Sequence, residues 1–228
     1  MPNKRNVPGK TIKLPNIPKQ GFENSLPEVS LYDRADYTRL MISHADLTEQ
    51  VAAHVSFDQI LFQQVQLTKT KLKKVNVHDS RFTVCDFANA EWAEATLNRV
   101  ELIGCHLTGF QCSEALFQDV LFKECRGSFA QFAFVKFKAV RFEDCDLSDA
   151  NFFEADFAGT TFVRCNLQNA DLTGTKLFSI DLRGSTIDGA RVGPQELKGA
   201  VIDPNQALAI VRSVGIKVAP LDASPNEN

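Results

Sequence analysis

The apolar positions of this sequence recur at every fifth residue. From Tyr37 to Leu197 in steps of five there are 33 positions, and 30 of them hold Leu, Phe, Ile, Val, Trp or Tyr. Twelve of the 18 phenylalanines fall on this set, and the register never shifts. A period of five fits neither the roughly 3.6-residue period of an α-helix nor the period of two of a β-strand. The pattern therefore predicts a five-residue unit with one large side chain directed inward.

A second set of small residues lies two positions before each large one. In this set 27 of 33 residues are Ala, Cys, Ser, Thr or Val. Five of its cysteines are spaced by 20 residues and are predicted to stack as one core-filling column: Cys85, Cys105, Cys125, Cys145 and Cys165. Four units thus make one turn of a four-sided coil. With neighbouring coils about 4.8 Å apart, the coils form a rod about 40 Å long.

The units resemble the pentapeptide-repeat protein family, as in CDLSD at 145–149 and ADLTG at 170–174. The resemblance covers about residues 37–200 and implies an all-β fold, a right-handed quadrilateral β-helix of about eight 20-residue coils. The recurrent Asp and Asn residues before each centre are expected to cap corners by side-chain to backbone hydrogen bonds. Three units depart from the pattern, around Ala52, Cys112 and Gly127, and each is expected to spoil one side of a coil.

The ends of the repeat differ in composition from its middle. We predict a Pro-rich N-terminal extension at 1–34, the β-helix at 35–200, and a C-terminal capping helix and tail at 201–228. Five of the nine prolines lie in 1–34, and proline removes a ladder donor, so this extension lies outside the coil stack. It either follows a coil face or is a loose tail. At the other end Asp203 and Pro204 predict the start of a helix that Gly215 ends.

The C-terminal segment IDPNQALAIVRSVGIKV resembles the quinolone-resistance subgroup of the family, whose members protect DNA gyrase and topoisomerase IV. In that subgroup the helix closes the solenoid and joins two copies into a two-fold rod, which implies a homodimer here. The candidate dimer contacts are Leu208, Ile210, Val211 and Val214. The alternative is a helix that only covers the last coil.

Composition and motifs exclude several classes of function. The formal net charge of −3 is too small for a direct nucleic-acid binder. No apolar run of about 18 residues and no apolar targeting segment is found, so we expect a cytoplasmic protein without a membrane partner. The four histidines do not converge with a nucleophile, and no GxGxxG, P-loop or GxSxG motif is present. We therefore expect no enzymatic activity, no metal and no cofactor.

The later middle of the chain is rich in acidic residues, and these lead to the hypothesis of function. The candidate partner-facing acids are Glu94, Glu114, Glu124, Asp144, Asp146, Asp149, Glu154 and Asp156. A negatively charged rod could compete for the basic groove that topoisomerases offer to DNA, which is the mimicry proposed for the resembling subgroup. A basic patch at 69–74 opposes this interpretation. The alternative for the acidic face is a solvated surface that only keeps the protein soluble. The alternative functions are a scaffold for another protein partner, through outward apolar residues or the N-terminal extension, and a secreted effector.

Overall fold

Successive turns of the chain stack in parallel with an offset of 20 residues. The computed structural model describes residues 11–24, 29–213 and 215–219. Leu116, for example, pairs with Thr96 in the preceding coil and with Lys136 in the next. The isolated bridges outside the strands have the same offset, as between Asp46 and Gln66. The spacing of the cysteines thus equals the length of one coil, and the predicted quadrilateral β-helix is confirmed.

The coil has four sides, each formed by one five-residue unit. Side 1 is centred on Tyr37, side 2 on Ile42, side 3 on Leu47 and side 4 on Ala52, and each recurs every 20 residues. The strands are β1 (Glu23–Asn24), β2 (Asp36–Thr38), β3 (Leu40–Ser43), β4 (Val51–Ala53), β5 (Ser56–Asp58), β6 (Leu61–Gln63), β7 (Lys71–Lys73), β8 (Asn76–Thr83), β9 (Thr96–Ile103), β10 (Leu116–Lys123), β11 (Lys136–Glu143) and β12 (Thr161–Val163). The single helix found in the described residues is α1 (Pro204–Ser213).

Sides 1 and 2 carry most of the sheet. The order is β1-β3-β6-β8-β9-β10-β11-β12, with β5 pairing both β2 and β8, and β4 and β7 form a separate pair on side 4. On side 3 the unit is a turn in every coil, and an Asp or Asn directly before the centre adds a hydrogen bond to that turn. Asp146 Oδ1 accepts the Ser148 N–H at 3.1 Å, and Asn166 Oδ1 accepts the Gln168 N–H at 3.0 Å. These are the expected side-chain to backbone caps, and they compete with the extended conformation.

The number of strand-bearing turns is smaller than predicted. Named strands of the stack run from Asp36 to Val163, which is about 6 turns rather than about eight. After Val163 the coils continue only through isolated bridges, the last joining Asp181 to Val201. There Asp181 Oδ1 accepts the Arg183 N–H at 3.0 Å, so the unit turns where a strand would otherwise continue.

The corners of the coil are made by residues in the left-handed conformation. This holds at each fifth position from Arg34 to Gly199 except Pro194, and 26 of these residues are not glycine. The corner N–H donates to a carbonyl of the next coil, as from Arg34 to Ala53 at 2.8 Å. That hydrogen bond offsets part of the roughly 1–2 kcal/mol that the conformation costs an L-residue.

The core is a column of large side chains with small ones between them. Phe62 and Phe82 stack with ring centroids 4.3 Å apart, and Phe142 and Phe162 stack at 5.2 Å. Close packing of this kind makes the interior continuous from coil to coil. The large side chains therefore share one core along the rod.

None of the three atypical units spoils its side. Phe110 occupies a small position and Cys112 a large one, and both are buried, so the exchange keeps the volume of the unit. At Gly127 an added Cβ would lie 3.1 Å from the Leu147 side chain, so the core itself fills the space. Ala52 is buried within β4 and keeps its ladder partner Leu72. The expectation of interrupted sides was wrong. The exchanged residue pair keeps the volume at Cys112, the Leu147 side chain of the next coil fills the space at Gly127, and the ladder continues at Ala52.

Residues 11–24 of the N-terminal extension lie along the corner between sides 1 and 2. The Lys13 N–H donates to Asp119 Oδ1 at 3.1 Å, and the Asn16 N–H donates to Asp79 Oδ1 at 2.8 Å. The segment then ends as β1, which pairs with β3 of the first coil. It therefore runs opposite to the stacking direction. It also covers both carboxylates, since Asp79 is 3% exposed and Asp119 is 8% exposed.

At the C-terminal end, α1 closes the last coil through a capping box. Asp203 Oδ1 accepts the Gln206 N–H at 3.1 Å, and Gln206 Oε1 accepts the Asp203 N–H at 2.9 Å. The Gln206 amide nitrogen also donates to the carbonyls of Leu182 at 2.5 Å and Ser185 at 2.7 Å. The buried Gln206 thus joins the helix start to the backbone of the solenoid.

Candidate interaction surface

A polar cluster under the N-terminal segment is the first candidate site. Ligand atoms of Asp58, His78 and Asp79 lie within 4.8 Å of one another, a spacing that a metal ion could use. However, the Arg99 guanidinium donates to both oxygens of Asp79 at 2.6 Å and to His78 Nε2 at 2.5 Å. This hydrogen bonding is the main reason that the pKa of Asp79 is lowered. The positive charge of the Arg99 guanidinium disfavours binding of a metal cation at this point. The cluster instead holds the N-terminal segment through the hydrogen bond from the Asn16 N–H to Asp79.

The cysteine column is a second cluster that could carry chemistry. All its members are buried and free of disulfides, namely Cys85, Cys105, Cys125, Cys145 and Cys165. The Cys145 sulfur lies 3.4 and 3.3 Å from two backbone carbonyl oxygens, either of which can accept its single S–H. The contact with Cys125, together with burial, raises the pKa of Cys145 to about 12, whereas the hydrogen bond from Cys105 lowers that of Cys85. Thiolates are the nucleophiles and metal ligands, so burial and the raised pKa disfavour reaction of the Cys145 thiol at neutral pH.

The eight acidic candidates lie on all four sides and do not form one surface. Side 4 holds Glu94, Glu114 and Glu154, side 2 holds Glu124 and Asp144, side 3 holds Asp146 and Asp149, and side 1 holds Asp156. They are close along the sequence, but five residues rotate the chain by one side. Charge that is concentrated in one stretch of sequence is therefore spread around the rod.

Several of these carboxylates are already paired. Arg164 donates to both oxygens of Asp144 at 2.6 Å, and this bond lowers the pKa of Asp144. Lys73 and Lys74 both lie 3.3 Å from carboxylate oxygens of Glu94 and lower its pKa. Glu124 has a longer contact of 3.8 Å with Lys123. Within the described residues the remaining acidic candidates form no ion pair: Glu114, Asp146, Asp149, Glu154 and Asp156.

Counted by side, the negative charge concentrates on side 3. Its outward positions hold six acidic and two basic residues, a net charge of −4, whereas each of the other sides balances to within one charge. The acids of side 3 are Asp46, Glu49, Asp86, Asp146, Asp149 and Asp188, and the bases are Lys69 and Arg126. Residues 11–24 lie at the corner between sides 1 and 2, away from side 3.

Large apolar side chains are exposed near the middle of the rod. Phe129 is 57% exposed and Phe134 is 47% exposed, and they occupy the two corners that bound side 4 in one coil. Phe153, in the next coil, packs against Phe134 with centroids 5.5 Å apart and rings at 85°. Nothing in the described residues covers these rings, which marks the place as a candidate contact surface.

The candidate dimer residues do not share one environment. Ile210 packs against the core cluster of the solenoid, so it faces inward. Leu208 is 39% exposed, and Val211 is half-buried. Val214 lies outside the described residues. Further exposed apolar side chains at this end of the rod are Val201, Ile216 and Val218.

No helical segment in the described ranges could cross a membrane. A crossing helix needs about 20 apolar residues, and α1 has 10 residues.

The stacked five-residue units define a class of protein, the parallel β-solenoids. Residues 75–152 and 95–172 match the family model described as the pentapeptide repeat region. Residues 75–172 are therefore a pentapeptide-repeat region. Comparison with curated proteins returns no match.

Several solved structures are similar to this chain at low sequence identity. A trypsin-treated form of QnrB1, a plasmid-mediated fluoroquinolone resistance protein, is 17% identical, with 82% of this chain and 89% of that chain covered and a TM-score of 0.36. HetL, involved in heterocyst differentiation regulation in the cyanobacterium Nostoc sp. strain PCC 7120, is 17% identical, with 75% and 90% covered and a TM-score of 0.29. Rfr23 from the cyanobacterium Cyanothece 51142 is 21% identical, with 60% and 64% covered and a TM-score of 0.22. These similarities concern the fold alone.

Proposed function

We propose that this protein is a non-catalytic binding protein that docks on a type II topoisomerase in the cytoplasm and protects it from a poison. The observation that carries the proposal is side 3, whose outward positions hold a net charge of −4 along the solenoid. Such a surface is attracted to the basic groove that topoisomerases offer to DNA, in a salt-dependent way. The identity of the enzyme, DNA gyrase or topoisomerase IV, follows from the C-terminal resemblance described above.

The charge density limits how far side 3 can imitate DNA. Duplex DNA carries about one negative charge per 1.7 Å of axis. Side 3 has a net charge of −4 over its coils, and at about 4.8 Å per coil this corresponds to about one charge per 10 Å. The proposal is therefore local complementarity to part of a basic groove and not a charge-for-charge copy of a duplex.

We further propose that the protein is a homodimer through its C-terminal end. The exposed Leu208 and half-buried Val211 lie three residues apart and share a helix face, whereas Ile210 belongs to the core. Light scattering of the full chain would report the mass. A Leu208→Asp variant is expected to be monomeric, and a variant that keeps the wild-type mass would reject this contact.

The test is supercoiling by purified gyrase with a quinolone, with and without a concentration series of this protein. Wild-type protein is expected to restore supercoiling and to reduce the amount of cleaved DNA. The double variant Asp146→Asn/Asp149→Asn halves the net charge of side 3 and keeps the hydrogen-bond acceptor of Asp146. It is expected to protect less well, most clearly at low salt.

The matched control is Asp36→Asn/Asp156→Asn, which removes the same charge from side 1. Equal loss of protection in both double variants would mean that total charge matters and that side 3 is not the docking surface. No protection by the wild type, with either gyrase or topoisomerase IV, would reject the topoisomerase proposal.

A second candidate function is a scaffold for a partner other than topoisomerase. The exposed rings of Phe129 and Phe134 favour it, because docking of apolar surface does not require the acidic side. Under this alternative the Asp146→Asn/Asp149→Asn variant keeps its partner, and replacement of the phenylalanines removes it.

A further inference from the structure

One corner of the solenoid combines a strained aromatic residue with two acidic neighbours. Glu114, Phe134 and Glu154 occupy the same corner of side 4 in three consecutive coils. The Glu114 N–H donates to the carbonyl that precedes Phe134 at 3.2 Å, and the Phe134 N–H donates to the carbonyl that precedes Glu154 at 2.9 Å. At about 4.8 Å per coil, the two acidic residues lie about 10 Å apart with the ring between them.

The fold does not require a phenylalanine at this corner. Phe134 has a φ of 59° and is 47% exposed, so it combines an unfavourable backbone conformation with exposed apolar surface. The same corner holds Gly174 two coils further on, and other corners hold Asn89 and Asn169.

The ring is ordered and its surroundings are negative. Phe153 packs perpendicular to Phe134 at 5.5 Å, which restricts the rotation of both rings. Within the described residues neither Glu114 nor Glu154 forms an ion pair. In the same column, by contrast, Glu94 is neutralised by two lysines. In this column the carboxylates without an ion pair in the described residues are therefore the ones that lie beside the ring of Phe134.

We propose that this corner is a docking site for an arginine side chain of a partner protein. A guanidinium group stacks on an aromatic face, and the negative face of the ring attracts its charge. Its planar fork of N–H donors can reach a carboxylate on either side, which a lysine ammonium does less well. The site lies on side 4, so it goes beyond the acidic side 3 and does not depend on the partner being a topoisomerase.

The probe is a fluorescein-labelled peptide of alternating glycine and arginine, titrated with the full chain and followed by fluorescence anisotropy at low salt. A peptide with citrulline in place of arginine is the neutral control. We expect the arginine peptide to bind more tightly. Replacement Phe134→Asn, which keeps a residue that accepts positive φ, is expected to weaken binding about two- to five-fold.

The matched control is Phe129→Asn, since Phe129 has the same φ of 59° and similar exposure but has Gly109 and Asp149 as its column neighbours. It is expected to leave the affinity unchanged. The double variant Glu114→Gln/Glu154→Gln is expected to weaken binding and to reduce its salt dependence. Equal binding of the citrulline peptide, equal loss in the Phe129→Asn and Phe134→Asn variants, or no binding by the wild type would each overturn the proposal. Circular dichroism of every variant checks that the solenoid is intact.

Discussion

Replacing Gln206 with alanine tests how the solenoid is closed at its C-terminal end. The Gln206 side chain is 5% exposed and makes three hydrogen bonds outside its own backbone. One satisfies the Asp203 N–H at the helix start, and two satisfy the carbonyls of Leu182 and Ser185. At about 1 kcal/mol for each bond, and more where a buried carbonyl stays unpaired, the loss is about 3 kcal/mol.

This loss is expected to act locally, because a solenoid repeat contacts only its neighbours. A decrease of about 3 kcal/mol in the free energy of detaching α1 from the solenoid corresponds to about a 100-fold larger population of the detached state. Amide hydrogen exchange, measured by mass spectrometry on the full chain, should therefore accelerate by that factor within α1 and the last coil. The strands β8 to β11 should keep their protection.

Two further variants make the test specific. Asn205→Ala changes an exposed side chain of the same helix and should leave exchange unchanged. Gln206→Glu keeps an acceptor for the Asp203 N–H but directs a carboxylate at two carbonyls, so it should be at least as disruptive as alanine at pH 7. Exchange in α1 that differs less than about three-fold between wild type and Gln206→Ala would refute the closing role of this side chain.

Two predictions concern stability within the coils. Val84 is β-branched, exposed and has a φ of 54°, so Val84→Asn should raise the free energy of unfolding by about 1 kcal/mol in urea titrations; the reverse change Asn89→Val should lower it, and no difference would contradict the strain argument. The pKa of Asp79 is lowered chiefly by Arg99, so its carboxylate contributes stability above the unfolded pKa of 3.8, and this contribution is lost as pH falls through the lower folded pKa. Asp79→Asn should therefore reduce the fall in urea midpoint between pH 5 and pH 2, and parallel wild-type and variant profiles would exclude Asp79 as the titrating group.

The acidic candidates are grouped by their position along the sequence, although the correct period of 20 groups residues by side of the coil. Acids that are concentrated in one stretch of sequence, such as Asp144, Asp146 and Glu154, point to three different sides because five residues turn the chain by one side. The period of 20 already contained this information. The pairing of Asp144 with Arg164 lies one coil away and obeys the same period, but whether the two side chains meet depends on their rotamers.

The sequence by itself determined the solenoid and its register, because each coil packs on the next through contacts separated by 20 residues. A shift of one residue would move the large side chains at positions such as Phe62 and Phe82 out of the core. Only the tertiary structure decided the path of the N-terminal segment on Asp79 and Asp119, the two carbonyls bound by Gln206 and the tolerance of Gly127. The first two join residues whose separation along the chain has no period, and the third depends on volume supplied by a neighbouring coil. No repeat pattern contains such contacts, so they follow from packing in three dimensions.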